Sequence, residues 1–256
     1  MQRKQMTSLS DERCPNCKKY MHYRDDSVFC FYCEEIALED KRLEEEAKNM
    51  IHRRKLLESS RMFDDASLIN DRLKVATFDN YHPEEDDLKK AKRHCERYAE
   101  NFSFDNPVNL LLMGSYGTGK SHLAVSIVKE LVDKRINSIF ISVPMLMTKI
   151  KSTFNRNSDV TELSILRTIQ EVDCLVLDDI GAEQTKKAKD DEVTWAVSKL
   201  WEIIDGRAGK HTIYTTNYDP EGLGKILGAR NFSRMMEGIY PIKMYGKDYR
   251  LKAFEK

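Results

Sequence analysis

A parallel-sheet α/β fold with flanking helices follows from three stretches of this chain. Val108 to Met113 is a short apolar run, the loop Gly114-Ser115-Tyr116-Gly117-Thr118-Gly119-Lys120-Ser121 follows it, and His122 to Lys134 has helical spacing at Leu123, Ile127, Val128 and Leu131. Further on, Cys174-Leu175-Val176-Leu177-Asp178-Asp179 is an apolar run closed by two acids. Thr212 to Asn217 then reads as a strand ending in small polar residues. Strands buried on both faces are continuously apolar, and acids at their carboxyl ends face the crevice where phosphate loops gather.

The loop is a complete G-x-x-x-x-G-K-[ST] phosphate-binding sequence. Its glycines let the backbone curl so that successive N–H groups face a phosphate, and the following helix N-terminus adds positive potential. Lys120 is of the type that reaches the β- and γ-phosphates, and Ser121 can ligate Mg²⁺. ATP or ADP with Mg²⁺ is therefore expected on Gly114, Ser115, Tyr116, Gly117, Thr118, Gly119, Lys120 and Ser121. Asp178 is expected to hold the same magnesium, and Asp179 to orient and deprotonate the attacking water. Asn217, at the end of the later strand, can touch the γ-phosphate and that water; taken alone, Asn is also an ordinary turn residue.

Composition narrows the partners. With 256 residues there is room for one full α/β domain and a smaller appendage. Lys+Arg and Asp+Glu both number 42, so no global positive field announces nucleic acid, and any such surface must be local. No apolar run is long enough for a bilayer, and Met1 to Arg13 lacks the apolar segment of a signal peptide, so a cytoplasmic protein without membrane contact is expected.

Four of the six cysteines form two close pairs. Cys14-Pro15-Asn16-Cys17 and Cys30-Phe31-Tyr32-Cys33 are separated by twelve residues, the spacing of a four-cysteine zinc ribbon. Each pair offers two thiolates to a tetrahedral ion that replaces a missing core, and His22 is a reserve ligand. A ribbon of this size is a recognition module for protein or nucleic acid rather than a catalyst.

From Glu34 to about Met62 there is no Gly or Pro and charges of both signs alternate, which predicts one long exposed helix. Ile36, Leu43, Met50 and Leu57 lie seven apart, so the helix reads equally as a solvated linker or as one that docks on a partner. After a connector, helical spacing runs from Glu84 to Phe102 with a start at Pro83. Ser138 to Val143 is a strand, Pro144 to Phe154 a helix, and Ser158 and Asp159 cap a further helix to Val172. Val193 to Arg207 is amphipathic, with Trp201 expected in the core; Lys186, Lys187 and Lys189 ahead of it read as a solvated loop. Asp219 and Pro220 start a helix to Leu227, Gly228 breaks it, Ala229 to Glu237 is helical, Ile239 to Met244 is a last strand, and Gly246 to Lys256 is a polar tail.

Together these pieces resemble the DnaC/DnaI-type bacterial helicase loaders, a branch of the AAA+ ATPases that also includes the IstB transposition ATPases. The residues that carry the resemblance are Thr77-Phe78-Asp79-Asn80-Tyr81, the loop Gly114 to Ser121, Leu177-Asp178-Asp179-Ile180-Gly181, Thr215-Thr216-Asn217, and Gly228 to Met236. The resemblance implies an AAA+ P-loop domain over residues 70–256, preceded by a zinc-ribbon-like partner-binding module over 1–33 and a charged linker over 34–69. It makes Asn217 a sensor, Arg234 an arginine finger entering a neighbour's ATP site, and Arg250 a second sensor. Without it, Arg234 reads as a surface helix arginine. It further implies ATP hydrolysis, self-association through the ATP site, a DnaB-type replicative helicase as partner, and single-stranded DNA on the insertion Pro144 to Val172, where Lys149, Lys151, Arg156 and Phe154 stand. The cysteine pattern is similar to DnaI-type loaders and favours helicase loading over IstB-like regulation of transposition. Asp179 departs from the glutamate of many AAA+ proteins; the shorter carboxylate implies slow, switch-like turnover.

Overall fold

The computed structural model describes residues 8–24, 27–63, 71–154, 160–182 and 190–254. The chain divides into two compact units, residues 1–57 and 58–256.

The first unit opens with an antiparallel meander of β1 (Leu9–Arg13), β2 (Tyr20–Arg24) and β3 (Ser27–Phe29). Cys14 and Cys17 occupy the turn between β1 and β2, which Lys18 closes at φ 63°. Cys30 follows β3, and Cys33 lies in a π-helical turn, Tyr32–Ile36. α1 (Ala37–Phe63) continues from it. Leu43 and Met50, on the seven-residue seam, are exposed. Ser10, Cys14, Phe29 and Cys30 are buried, a small core for strands this short.

The second unit begins with the short α2 (Asp71–Lys74) and α3 (Asp86–Glu100). Then come β4 (Asn109–Gly114), α4 (Lys120–Asp133), β5 (Ser138–Ser142), α5 (Val143–Ser152), α6 (Glu162–Glu171), β6 (Cys174–Asp178) and α7 (Asp190–Asp205). β7 (His211–Thr216), α8 (Pro220–Leu227), α9 (Ala229–Met235), β8 (Ile239–Met244) and a 3₁₀ turn, Tyr249–Phe254, complete it.

The five strands form one parallel sheet in the order β5-β6-β7-β4-β8. Alternation along each strand splits its side chains between two cores. Leu111, Leu175, Leu177 and Tyr214 pack with α5, α6 and α7 through Leu146, Ile165 and Leu200. Leu110, Leu112, Val176 and Ile213 pack with α3 and α4 through Cys95, Leu123 and Ile127. Both faces are covered, which is why β4, β5 and β6 read as apolar runs. All five carboxyl ends share one edge, and the phosphate loop lies there between β4 and α4.

Several local expectations shift. α3 starts at Asp86 rather than at Pro83, and residues 82–85 instead line a cavity. Thr161 caps α6, in a reciprocal box with Ser164; Ser158 and Asp159 lie outside the described residues, as do Arg156, Lys186, Lys187 and Lys189. Trp201 is half-buried against the core rather than within it, with the Arg234 guanidinium 5.5 Å from the centre of its ring. α7 ends at Asp205 because Arg207 turns inward, where it is 2% exposed. Arg207 donates to the carbonyls of Ile169 (2.7 Å), Val172 (2.9 Å) and His211 (2.6 Å) and to Thr212 Oγ1 (3.0 Å), tying α6 to the start of β7.

Candidate functional site

A cavity of about 810 Å³ opens at the carboxyl edge of the sheet. Tyr116 to His122, Asp179, Asn217 and Arg250 line one end, and Asn80 to Glu85 line another part of its wall. That volume suits a nucleotide-sized ligand. Gly114, Ser115 and Asp178 are not among the lining residues. Gly117, at φ 69°, lies so close to Asp248 that a Cβ there would fall 1.6 Å from its carboxylate oxygen. Only glycine meets both demands.

Lys120, the first residue of α4, is buried and donates to the carbonyls of Gly114 (3.1 Å) and Ser115 (2.6 Å). Burial brings its amine down to about 8, against the pull of Asp179 and Asp178. Asp178, at the end of β6, is 4% exposed, and burial together with the neighbouring charge of Asp179 pushes it up to about 6. Hydrogen bonds from Thr215 and Ser121 oppose that shift. Ser121 and Asp178 are thus in contact, the pairing a shared magnesium ion requires.

Asp179 has φ 60°, a left-handed turn that aspartate tolerates better than most residues. The loop after β6 is stitched to β7 by Asp179 N–H to Thr215 Oγ1 (2.9 Å), Ile180 N–H to Thr215 O (2.9 Å) and Thr216 Oγ1 to Ile180 O (2.9 Å). Asn217 Nδ2 lies 3.3 Å from Asp179 Oδ1. Asp178, Asp179 and Asn217 are therefore brought together with the phosphate loop. Arg250 lies on the cavity wall, whereas Arg234 is outside the lining. Arg234 pairs with Asp205 at 3.4 Å and sits 5.5 Å from the centre of the Trp201 ring. No motif assigns a role to the Thr215 hydroxyl or to Tyr81. A threonine pair inside an apolar strand is the signal that could have found the first, since a buried hydroxyl needs a partner.

In the first unit, the sulfurs of Cys14, Cys17, Cys30 and Cys33 all lie within 4.8 Å of one another. Cys14–Cys33 is 3.9 Å and Cys17–Cys30 is 3.4 Å. Tetrahedral zinc with Zn–S of ~2.3 Å sets its sulfurs ~3.8 Å apart, so the cluster fits that ion. His22 packs instead against Phe29 and Phe31, at 6.2 and 5.5 Å between ring centres, and is not part of the cluster. Phe154 is 60% exposed beyond α5, edge-on to Trp195 at 6.1 Å, with Lys151 Nζ 5.2 Å from the same indole. It is a surface aromatic, not core. Among the described residues no helix is long and apolar enough to cross a membrane.

Residues 37–237 match the model of the IstB-like ATP binding protein family. The chain belongs to that ATP-binding family. It is 35% identical over 164 residues to the replicative helicase loader DnaC of Buchnera aphidicola subsp. Baizongia pistaciae (strain Bp), an alignment that covers 63% of each chain. The match thus spans less than two thirds of that relative's length. The crystal structure of the DnaC helicase loader superposes with a TM-score of 0.59 at 27% identity, covering 68% of this chain and 99% of that one. The DnaI crystal structure gives a TM-score of 0.56 at 27% identity over 69% and 94%. The five-stranded parallel sheet with its phosphate loop is the AAA+ P-loop fold of the DnaC structure.

Proposed function

We propose that this chain is an ATP-dependent loader that binds a hexameric DnaB-type replicative helicase and helps deposit it on single-stranded DNA in the cytoplasm. The observation that carries the reading is the likeness to the DnaC and DnaI structures over 99% and 94% of their lengths. In this reading the loop Gly114 to Ser121 holds the phosphates of ATP or ADP, Lys120 neutralises them, and Ser121 and Asp178 hold Mg²⁺. When bound, the ion supplies charge neutralisation for the transferring phosphoryl group. Asp179 takes the proton of the attacking water and Asn217 aligns the pair, in keeping with their 3.3 Å contact. A carboxylate one methylene shorter than glutamate makes hydrolysis slow and switch-like. ATP binding sets assembly and DNA grip, and hydrolysis releases the loader.

Arg234, held by Asp205 on the protein's own surface, serves a neighbouring subunit's ATP site, and Arg250 reads the nucleotide on its own cavity wall. Residues 70–256 are the ATPase domain, 1–33 the zinc-bearing module that grips the helicase, and 34–69 the linker between them. The close sulfur cluster supports one structural zinc. The exposed Phe154 with Lys151 and Trp195 supports a stacking surface for single-stranded DNA on the insertion 144–172.

The test is capture of a replicative helicase from the chain's host by the purified protein, with ATP, with ADP, and after deletion of residues 1–62. Nucleotide-sensitive capture that needs the deleted segment is expected. No capture in any state would move the function to IstB-like regulation of transposition.

A further inference from the structure

Tyr81 precedes Thr118 by 37 residues, yet its hydroxyl donates to the Thr118 carbonyl at 2.6 Å, a short O–H···O bond inside the phosphate loop. Its ring covers the next residue: a Cβ on Gly119, which has φ 92°, would lie 2.4 Å from the ring edge. The third contact is with His122, at 5.3 Å between ring centres. The imidazole Nε2 is 2.8 Å from the carbonyl of Thr77, so it carries the proton and donates. One short turn, residues 77–81, therefore holds the loop on both sides of Lys120.

That turn is itself rigidly built. Thr77 N–H donates to Asn80 Oδ1 (2.9 Å), Asn80 N–H donates to Thr77 Oγ1 (3.3 Å), and Asn80 Nδ2 donates to the Val75 carbonyl (2.7 Å). Tyr81 N–H donates to the Phe78 carbonyl at 3.3 Å, and Lys92 Nζ donates to the Tyr81 carbonyl at 3.2 Å. Burial raises the Tyr81 hydroxyl above its ordinary range, which keeps it neutral and a donor.

A peptide unit is planar, and its C=O and N–H point in opposite directions. Fixing the Thr118 carbonyl on the Tyr81 side thus fixes the Gly119 N–H on the side away from it. Loop N–H groups bind a polyphosphate best when their directions are set before it arrives, because ordering them then costs nothing at binding. We propose that Tyr81 is a positioning residue of the nucleotide site, whose hydroxyl sets the Thr118–Gly119 peptide plane for phosphate binding. The proposal rests on nucleotide binding by the loop.

Tyr81→Phe keeps the ring on Gly119 and removes the hydrogen bond alone. MgADP, the non-hydrolysable analogue of MgATP, and magnesium tripolyphosphate are titrated into the full-length protein and the variant, with kcat measured at saturating ATP. The expected result is a loss of affinity of about three- to tenfold for all three ligands, with kcat changed by less than about twofold, the pattern of uniform binding lost. Unchanged affinity would overturn the proposal. So would a loss confined to the two nucleotides, which would make Tyr81 a contact for the nucleoside rather than a support of the loop. A fall in kcat at unchanged affinity would overturn it too. If the unaltered chain bound none of the three ligands, the nucleotide reading itself would fail, a different outcome from any of these.

Discussion

The Thr215 hydroxyl donates to Asp178 Oδ1 across 2.6 Å, and Thr215 Oγ1 itself accepts the backbone N–H of Asp179 at 2.9 Å. One buried side chain on β7 therefore orients both acids at the end of β6. Thr215→Val removes the donor and the acceptor while preserving shape. ATP turnover should fall by about tenfold or more, since a hydrogen bond to a charged group contributes ~1.5–3 kcal/mol. Thr215→Ser should restore most of it. Steady-state hydrolysis by the three proteins checks this, and full activity in the valine variant would contradict it.

His211 gives a pH dependence with a definite sign. Its Nδ1 is 2.8 Å from the Tyr98 hydroxyl, its Nε2 is 2.9 Å from the Ser103 carbonyl, and Phe102 stacks on it at 3.9 Å. Burial holds the imidazole below its ordinary value, opposed by hydrogen bonds with Ser103 and Val108; nearby Arg207 adds to the depression and Asp173 opposes it. The unfolded chain takes up a proton near pH ~6.5 and the folded one does so only at lower pH. Stability is therefore intact above that value and lost as pH falls below it. Burial depresses His122 as well, with the same sign. The thermal midpoint should drop between pH 7 and 5, less steeply in His211→Gln, and less again when His122→Gln is added. Equal slopes in all three proteins would exclude the histidines as the cause.

The cysteine cluster predicts one zinc per chain. Removing it with a chelator, or replacing Cys17 by Ser, should unfold the first unit, because few other buried groups hold its three short strands. Metal content and the backbone signal of residues 8–33 measure this together. A unit that stays folded without metal would refute the structural role.

If Arg234 acts on a neighbour's nucleotide, Lys120→Ala and Arg234→Ala proteins should each be inactive alone and should recover part of the hydrolysis when mixed. Hybrid sites would then combine one intact lysine with one intact arginine. Absence of recovery at every mixing ratio would leave Arg234 as a surface residue paired with Asp205.

The sheet was readable because β4, β5 and β6 are apolar on both faces, and the phosphate loop because its glycines, lysine and serine have fixed spacing. What the sequence hid was every contact between residues far apart in it. Arg207 reads as a polar helix end, yet four acceptors from α6 and β7 draw it inside. Tyr81 closes the motif Thr77 to Tyr81 without a role legible in the sequence, and only the fold brings its hydroxyl to Thr118. Thr161 caps α6 because Ser164 completes a reciprocal pair with it, a choice that propensity alone does not decide. Phe154 stands past the end of α5 and is exposed, a position that helical spacing alone does not fix.

In the proposed function, nucleotide-driven action of this chain places a helicase on DNA. The most direct measurement is helicase deposition on circular single-stranded DNA coated with its binding protein, read as helicase retained on the DNA after the loader is washed away. With ATP and the intact chain, retained helicase should rise well above the level without the loader; the Lys120→Ala chain, and the chain lacking residues 1–62, should give no rise. Retention equal in all four conditions would contradict the account.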